Sequence, residues 1–194
     1  MDNHIPPLST TRGDTSDKFH RELGVRRPHR PPLDPVLPHE WPAEYVYQKA
    51  YKRDAAMVMY TNRMYAVTGP LREIIERLEP GVHQFNPIRV LLPKGVEHPV
   101  PHYMMVVGRW LSSFRLEESD PDCLRDKRPD FSTLSSFDKK CCAGAAMAQA
   151  VIGDAHLWRE RHLSGPTFFI SDRLKEEIIA AGLRLPPNHE MKSV

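Results

Sequence analysis

The stretches MYAVTGPLREIIERLEPG at residues 64–81 and TFFISDRLKEEIIAAGL at residues 167–183 carry the same residue types in the same order. Val67 matches Ile170, Thr68 matches Ser171, Leu71 matches Leu174, Arg72 matches Lys175, Glu73 matches Glu176 and Ile75 matches Ile178. In each copy a short apolar run predicts a strand, a hydroxyl residue stands where free amides need a cap, and apolar residues then follow at helical spacing. Pro70 has the fixed φ suited to the first helical position, and Leu71, Ile74, Ile75 and Leu78 recur on one face until Pro80 and Gly81 end the helix. In the second copy Ser171 is the expected cap, Leu174, Ile178 and Ile179 are expected inward, and Gly182 closes the helix. Two amphipathic helix faces must be covered, and laying both on a shared sheet does so. Helix N-termini also attract anions, but neither copy has a glycine-rich cradle and Asp172 would repel a phosphate, so the units read as scaffold.

Between them, AAMVMYTNRMYAVTG predicts a strand, a bend and a second strand, and HQFNPIRVLLPKG alternates as a strand should. PHYMMVVGRWLSSFRL reads as one long strand or two joined at Gly108. EESDPDCLRDKRPDFSTLSSFDKK is polar and broken, which predicts a long surface loop with some local structure. The small residues of CCAGAAMAQAVIGDAHLWRERHLSG leave helix and strand equally open. The expected fold is therefore α+β: a single domain with a mainly antiparallel sheet, two strand-cap-helix units packed on it, and an extended arm. That arm is residues 1–42, where Pro6, Pro7, Pro28, Pro31, Pro32, Pro35, Pro38 and Pro42 interrupt any period. The globular part spans residues 43–187, and residues 188–194 read as a tail.

With 27 basic and 25 acidic residues the net charge is only +2, without the basic excess of a dedicated nucleic-acid binder. No apolar run approaches the roughly 20 residues that span a bilayer, and the N-terminus lacks the basic start and apolar stretch of a secretory signal. Three cysteines, Cys123, Cys141 and Cys142, make no even disulfide framework. A cytoplasmic protein, with neither nucleic acid nor membrane as partner, is expected.

Candidates for chemistry are few. His83, His98 and His102 suggest a metal, but an extended PVP separates His98 from His102, and no recognised ligand pattern accompanies them, so no metal is expected. Cys141 and Cys142 have Lys139 and Lys140 nearby, yet in alanine-rich surroundings they read as buried packing. The acid pairs Glu117–Glu118 and Asp120/Asp122 lie in the charged loop and read as solvated. No nucleophile elbow, phosphate loop or dinucleotide fingerprint is present, so neither catalytic residue nor cofactor is predicted. HLWRERHLSGP stands out: Trp158 beside Arg159 and Arg161 has the residue types that dominate protein interfaces, although Trp158 could equally fill the core.

RLEPGVHQFNPIRV, followed far downstream by HLWRERHLSGPTFFISDRLKEEIIAAGL, resembles bacterial immunity protein family 11. The first motif rests on Leu78, Gly81, His83, Gln84, Phe85 and Pro87, the second on Leu157, Trp158, Arg159, Phe169, Ser171, Leu174 and Gly182. Asn86 departs from the family's usual aromatic, and the resemblance runs over about residues 57–187. It implies an antidote of a polymorphic toxin system in bacterial competition. Such a protein, not an enzyme, binds a cognate protein toxin encoded by a neighbouring gene. The alternatives are an enzyme that reverses or degrades the toxin's product, and a non-catalytic adaptor module. If the two repeated units are scaffold, the partner is expected on Trp158, Arg159 and Arg161, with Arg109 and Trp110 as a second group.

Overall fold

The computed structural model describes residues 8–9, 41, 44–47, 55–59, 65–127, 132–135, 138–164, 168–186 and 188–194. The expected arm, residues 1–42, lies almost wholly outside the described residues.

Both repeated segments are strands that run into helices. Strand β4 (Tyr65–Thr68) feeds helix α1 (Gly69–Leu78), and strand β14 (Phe169–Ile170) feeds helix α4 (Asp172–Ala180). Their starts differ. Ser171 Oγ accepts from the Leu174 N–H at 3.1 Å, whereas the Thr68 side chain makes no cap bond, against expectation. Pro70, at the second rather than the first helical position, removes one of the two amides such a cap can take, and the buried Thr68 hydroxyl has no partner among the described residues. Helix α4 ends with Gly182 at φ 68°, the Leu183 N–H returning to Ile178 O and the Gly182 N–H to Ile179 O. This paired closure satisfies two orphan carbonyls, and glycine takes the left-handed conformation it needs without strain.

Leu71, Ile74 and Ile75 of α1 and Leu174 and Ile178 of α4 are buried against one another. Ile179, expected inward, is 63% exposed. At 3.6 residues per turn it falls about 140° round from Leu174, off the stripe that Leu174 and Ile178 share. Across the helix pair, Arg77 donates to both oxygens of Glu177, at 3.2 and 2.7 Å.

The main sheet has the order β1-β2-β5-β6-β4-β3. Its strands are β1 (Leu8–Ser9), β2 (Glu44–Tyr47), β3 (Met57–Met59), β4, β5 (Gln84–Leu91) and β6 (His102–Val106). Only β2 and β5 run parallel; the other neighbours are antiparallel. Three smaller sheets follow among the described residues. Strands β7 (Trp110–Leu111), β12 (Leu157–Glu160) and β14 form one, in the order β14-β12-β7. Strands β8 (Phe114–Arg115), β11 (Ala146–Met147) and β15 (Lys192–Ser193) form the second, in the order β15-β11-β8. The third, in the order β13-β10-β9, joins β9 (Leu124–Lys127), β10 (Ser132–Leu134) and β13 (Leu163–Ser164). The two repeated units thus share a core without sharing a sheet, since β4 belongs to the main sheet and β14 to the first small one.

Three readings change. The stretch expected as a surface loop forms β9 and β10 and buries Cys123 and Leu124. The small-residue segment is mixed: helix α2 (Lys139–Gly144), β11, helix α3 (Gln149–Ile152), then β12. The segment read as a tail ends in β15, the Lys192 N–H donating to Ala145 O at 3.1 Å and the Val194 N–H to Met147 O at 3.0 Å.

The architecture is a single α+β domain, and two buried clusters stand out among the described residues. One gathers Tyr65, Val67, Leu71, Ile75, Leu157, Leu174 and Ile178. The other gathers Phe114, Leu124, Leu134, Cys141, Cys142, Met147 and Leu163. Strand β12 runs between them. Leu157 faces the first, and Trp158 stacks at 5.7 Å on Phe169, which packs against the second.

Candidate partner-binding face

Both groups of sequence candidates meet on one ladder. Strand β12 runs parallel to β7 with Arg159 opposite Trp110 and Glu160 opposite Leu111. The Arg159 N–H donates to Arg109 O at 2.9 Å, and the Arg161 N–H to Leu111 O at 2.8 Å. Because successive strand residues point to opposite faces, Leu157 and Arg159 share one side and Trp158 and Glu160 the other.

The five candidates then separate by environment. Trp158 is buried and fills the core, the plainer of the two readings its residue type allowed. Arg161 is exposed. Arg159 is half-buried, its guanidinium carbon 5.9 Å from the Tyr65 ring centre and 5.7 Å from that of Trp110. Phe168 meets Tyr65 edge-on at 4.8 Å and backs this wall. No acidic side chain or hydrogen-bond acceptor engages the Arg159 guanidinium among the described residues. Burial pulls its pKa below the ordinary value, opposed by Tyr65. The indole N–H of Trp110 on the same ladder likewise has no acceptor among the described residues.

Arg109 has a different task. Its Nε lies 3.2 Å from Glu79 Oε1 and its Nη1 3.1 Å from Asp154 Oδ1. Glu79 is nearly inaccessible, and its Oε2 also accepts from the Leu157 N–H at 2.8 Å and meets His83 Nε2 at 2.9 Å. Since His83 Nδ1 accepts from the Gly108 N–H at 3.2 Å, the ring proton sits on Nε2 and is donated to Glu79. Gly108 is required there, because a Cβ would stand 1.9 Å from Val82 O. Burial works to raise the Glu79 pKa, but the His83 bond, the His156–Leu157 peptide N–H and the Arg109 charge outweigh it and hold the carboxyl below its ordinary value. This knot ties the end of α1, the start of β5, the approach to β7 and the start of β12 into one unit.

On the other side of β12, Glu160 is buried with neutral donors only. It accepts from Ser113 N–H at 3.0 Å, Ser113 Oγ at 2.5 Å and Arg161 N–H at 3.1 Å. Burial pushes its pKa up, and those hydrogen bonds recover only part of the shift.

The remaining candidates do not form a reactive centre. Cys123, Cys141 and Cys142 are buried; Cys141 Sγ donates to Cys123 O at 2.9 Å, and burial pushes the Cys142 thiol up, away from the thiolate. His98 and His102 come closer than an extended chain predicts, their rings edge-to-face at 4.6 Å, because the chain turns about Val100, whose carbonyl lies 3.2 Å from His98 Nδ1 and 2.8 Å from His102 Nδ1. Among the described residues no group of three or more His, Cys, Asp or Glu side chains could hold a metal ion, and no helix is long and apolar enough to cross a membrane.

Residue type alone missed Tyr65 and Phe168 as the wall beside Arg159, and Glu79 as the anchor of Arg109. A glutamate and a histidine four residues apart across Pro80 and Gly81 were the available signal for the anchor. Comparison with curated proteins gives no match. The sequence profile of the immunity protein family (Imm11) matches residues 8–185, starting well before the region on which the two motifs rest, and the chain belongs to that family.

Proposed function

We propose that this protein protects the cell that makes it by binding a cognate protein toxin in a stable one-to-one complex, in the cytoplasm, through the face that β7 and β12 build. The observation that carries the reading is the parallel ladder that sets Arg159, Arg161 and Trp110 side by side. These are residue types in which interface binding energy concentrates. The Glu79 knot beneath holds that face rigid, so little ordering is required when a partner docks. Immunity by occupation needs such a face and no reacting group.

The test is stoichiometric. Co-expressed with the toxin encoded by the neighbouring gene, the protein is expected to protect in proportion to its amount, with the end point at one molecule per toxin. Calorimetry on the purified pair should give the same ratio.

A second reading, an enzyme that reverses the toxin's product, draws on one observation. A cleft of about 790 Å³ beside the C-terminal end of α4 is lined by Thr68, His98, Lys175, Arg184 and Asn188 among others. Protection of an excess of target by a trace of protein would decide for it.

A further inference from the structure

The toxin-binding reading leaves open what the partner brings to this face, and the state of Arg159 bears on that question. Resting on that reading, we propose that the toxin inserts a carboxylate side chain between Tyr65 and Trp110, where its two oxygens accept hydrogen bonds from the Arg159 guanidinium.

A guanidinium carries five N–H donors in a planar fork. Here two aromatic rings hold the fork at 5.9 and 5.7 Å, and no described residue accepts from it. Rings attract the cation through their faces, but they do not satisfy N–H groups that point along its plane. The acids nearby are already engaged. Glu79 and Asp154 are paired with Arg109, and Glu160, the next residue in the chain, points to the opposite side of the strand into Ser113. A cation that is half removed from water, held in one orientation and left without its counter-charge is an incomplete ion pair. The missing part is a planar anion with two acceptors, the geometry that arginine takes in bidentate fashion.

The number of charges points to a carboxylate rather than a phosphate. Arg109 is neutralised, so among the described residues Arg159 is the one cation set into the face, and Arg161 at the rim is solvated. That balance suits a single negative charge, and the chain's net charge of +2 provides no wider field for a polyanion.

The experiment uses the full chain and the toxin domain of the neighbouring gene, made inactive by substitution in its own active site. Affinity and thermal unfolding are measured for wild type, Arg159→Met and Arg159→Lys. The apolar side chain should lie between the same rings and leave no unmet donor, so Arg159→Met is expected to melt at the wild-type temperature or above. Its toxin affinity should fall about thirtyfold or more, as when one member of a buried charge pair is removed. Arg159→Lys should fall between, having the charge without the fork. Neutralising one Asp or Glu of the toxin should weaken wild-type binding as much, and weaken the Arg159→Met complex no further. Equal affinity of wild type and Arg159→Met overturns the inference while leaving toxin binding intact. So does an acid scan of the toxin in which no substitution matters, which decides the question even if Arg159→Met fails to fold. A nucleic-acid oligomer that binds wild type but not Arg159→Met, with toxin affinity unchanged, assigns the fork to phosphate and also overturns it. No binding of wild type to the toxin domain removes the broader reading and this inference with it.

Discussion

Glu79 and Glu160 are both almost wholly buried beside β12, and they are held in opposite ways. Glu79 faces two basic side chains, His83 and Arg109, and a peptide N–H, and stays ionised. Glu160 faces only hydroxyl and backbone donors and is pushed toward its protonated form. The difference shows what each carboxyl is for. A buried charge that takes a counter-charge and hydrogen-bond donors from other segments locks those segments together. A carboxyl satisfied by neutral donors, here Ser113 between β7 and β8 and the Arg161 N–H, joins fewer parts of the chain and carries no counter-charge.

The largest test of this contrast is Glu79→Ala. It strands His83 and the Leu157 N–H in a dry site and leaves Arg109 with Asp154 alone, and breaking a buried pair in this way costs about 3–5 kcal/mol against a typical total of about 5–15. Denaturant unfolding should show a large drop in midpoint. Gly108→Ala attacks the same knot through the backbone: with its Cβ directed at Val82 O, the β6–β7 connection must shift, and a loss of about 1–3 kcal/mol is expected. An unchanged melting temperature would show that the connection yields freely.

Glu160→Gln should cost no more than about 1 kcal/mol at neutral pH, since Ser113 Oγ can turn to accept from the new amide. The pH dependence of the glutamine variants sharpens the comparison further. Glu79 has a folded pKa below the ordinary 4.5, so its contribution is complete above that value and is lost as pH falls through the folded one. The advantage of wild type over Glu79→Gln should therefore shrink in acid. Glu160 has a folded pKa above 4.5, so its contribution is complete in acid and is lost as pH rises through the folded value. Wild type should gain on Glu160→Gln as the pH is lowered. Parallel profiles for the two variants would remove the distinction. Smallest of all, Arg77→Ala cuts the exposed contact between α1 and α4 and should leave the unfolding curve unchanged, because solvent screens such pairs.

The parts of this fold that could be read in the chain are those whose pattern is local. Helices α1 and α4 have an apolar stripe and a terminating glycine, and β5 alternates. Pairing that depends on distant short segments could not be read. Nothing in two residues of β7 announces that they will lie beside β12, and alanines around α2 and β11 carry no periodicity to separate helix from strand. The site followed the same division. Arginine and tryptophan marked the candidates by type, but whether an arginine is anchored, as Arg109 is by Glu79, or unmatched, as Arg159 is, depends on contacts across the chain.

The composition of the first buried cluster sets a schedule for the ribosome. Tyr65, Val67, Leu71 and Ile75 leave the exit tunnel first, yet Leu157, Leu174 and Ile178, which help to cover them, are made roughly 80 to 100 residues later. At about 5–20 residues per second the intervening stretch takes on the order of 5 to 20 seconds to synthesise. Over that interval the nascent chain shows a bare apolar surface to chaperones and to its own copies. A ribosome that stops before residue 178 yields a polypeptide with half a core and no way to close it.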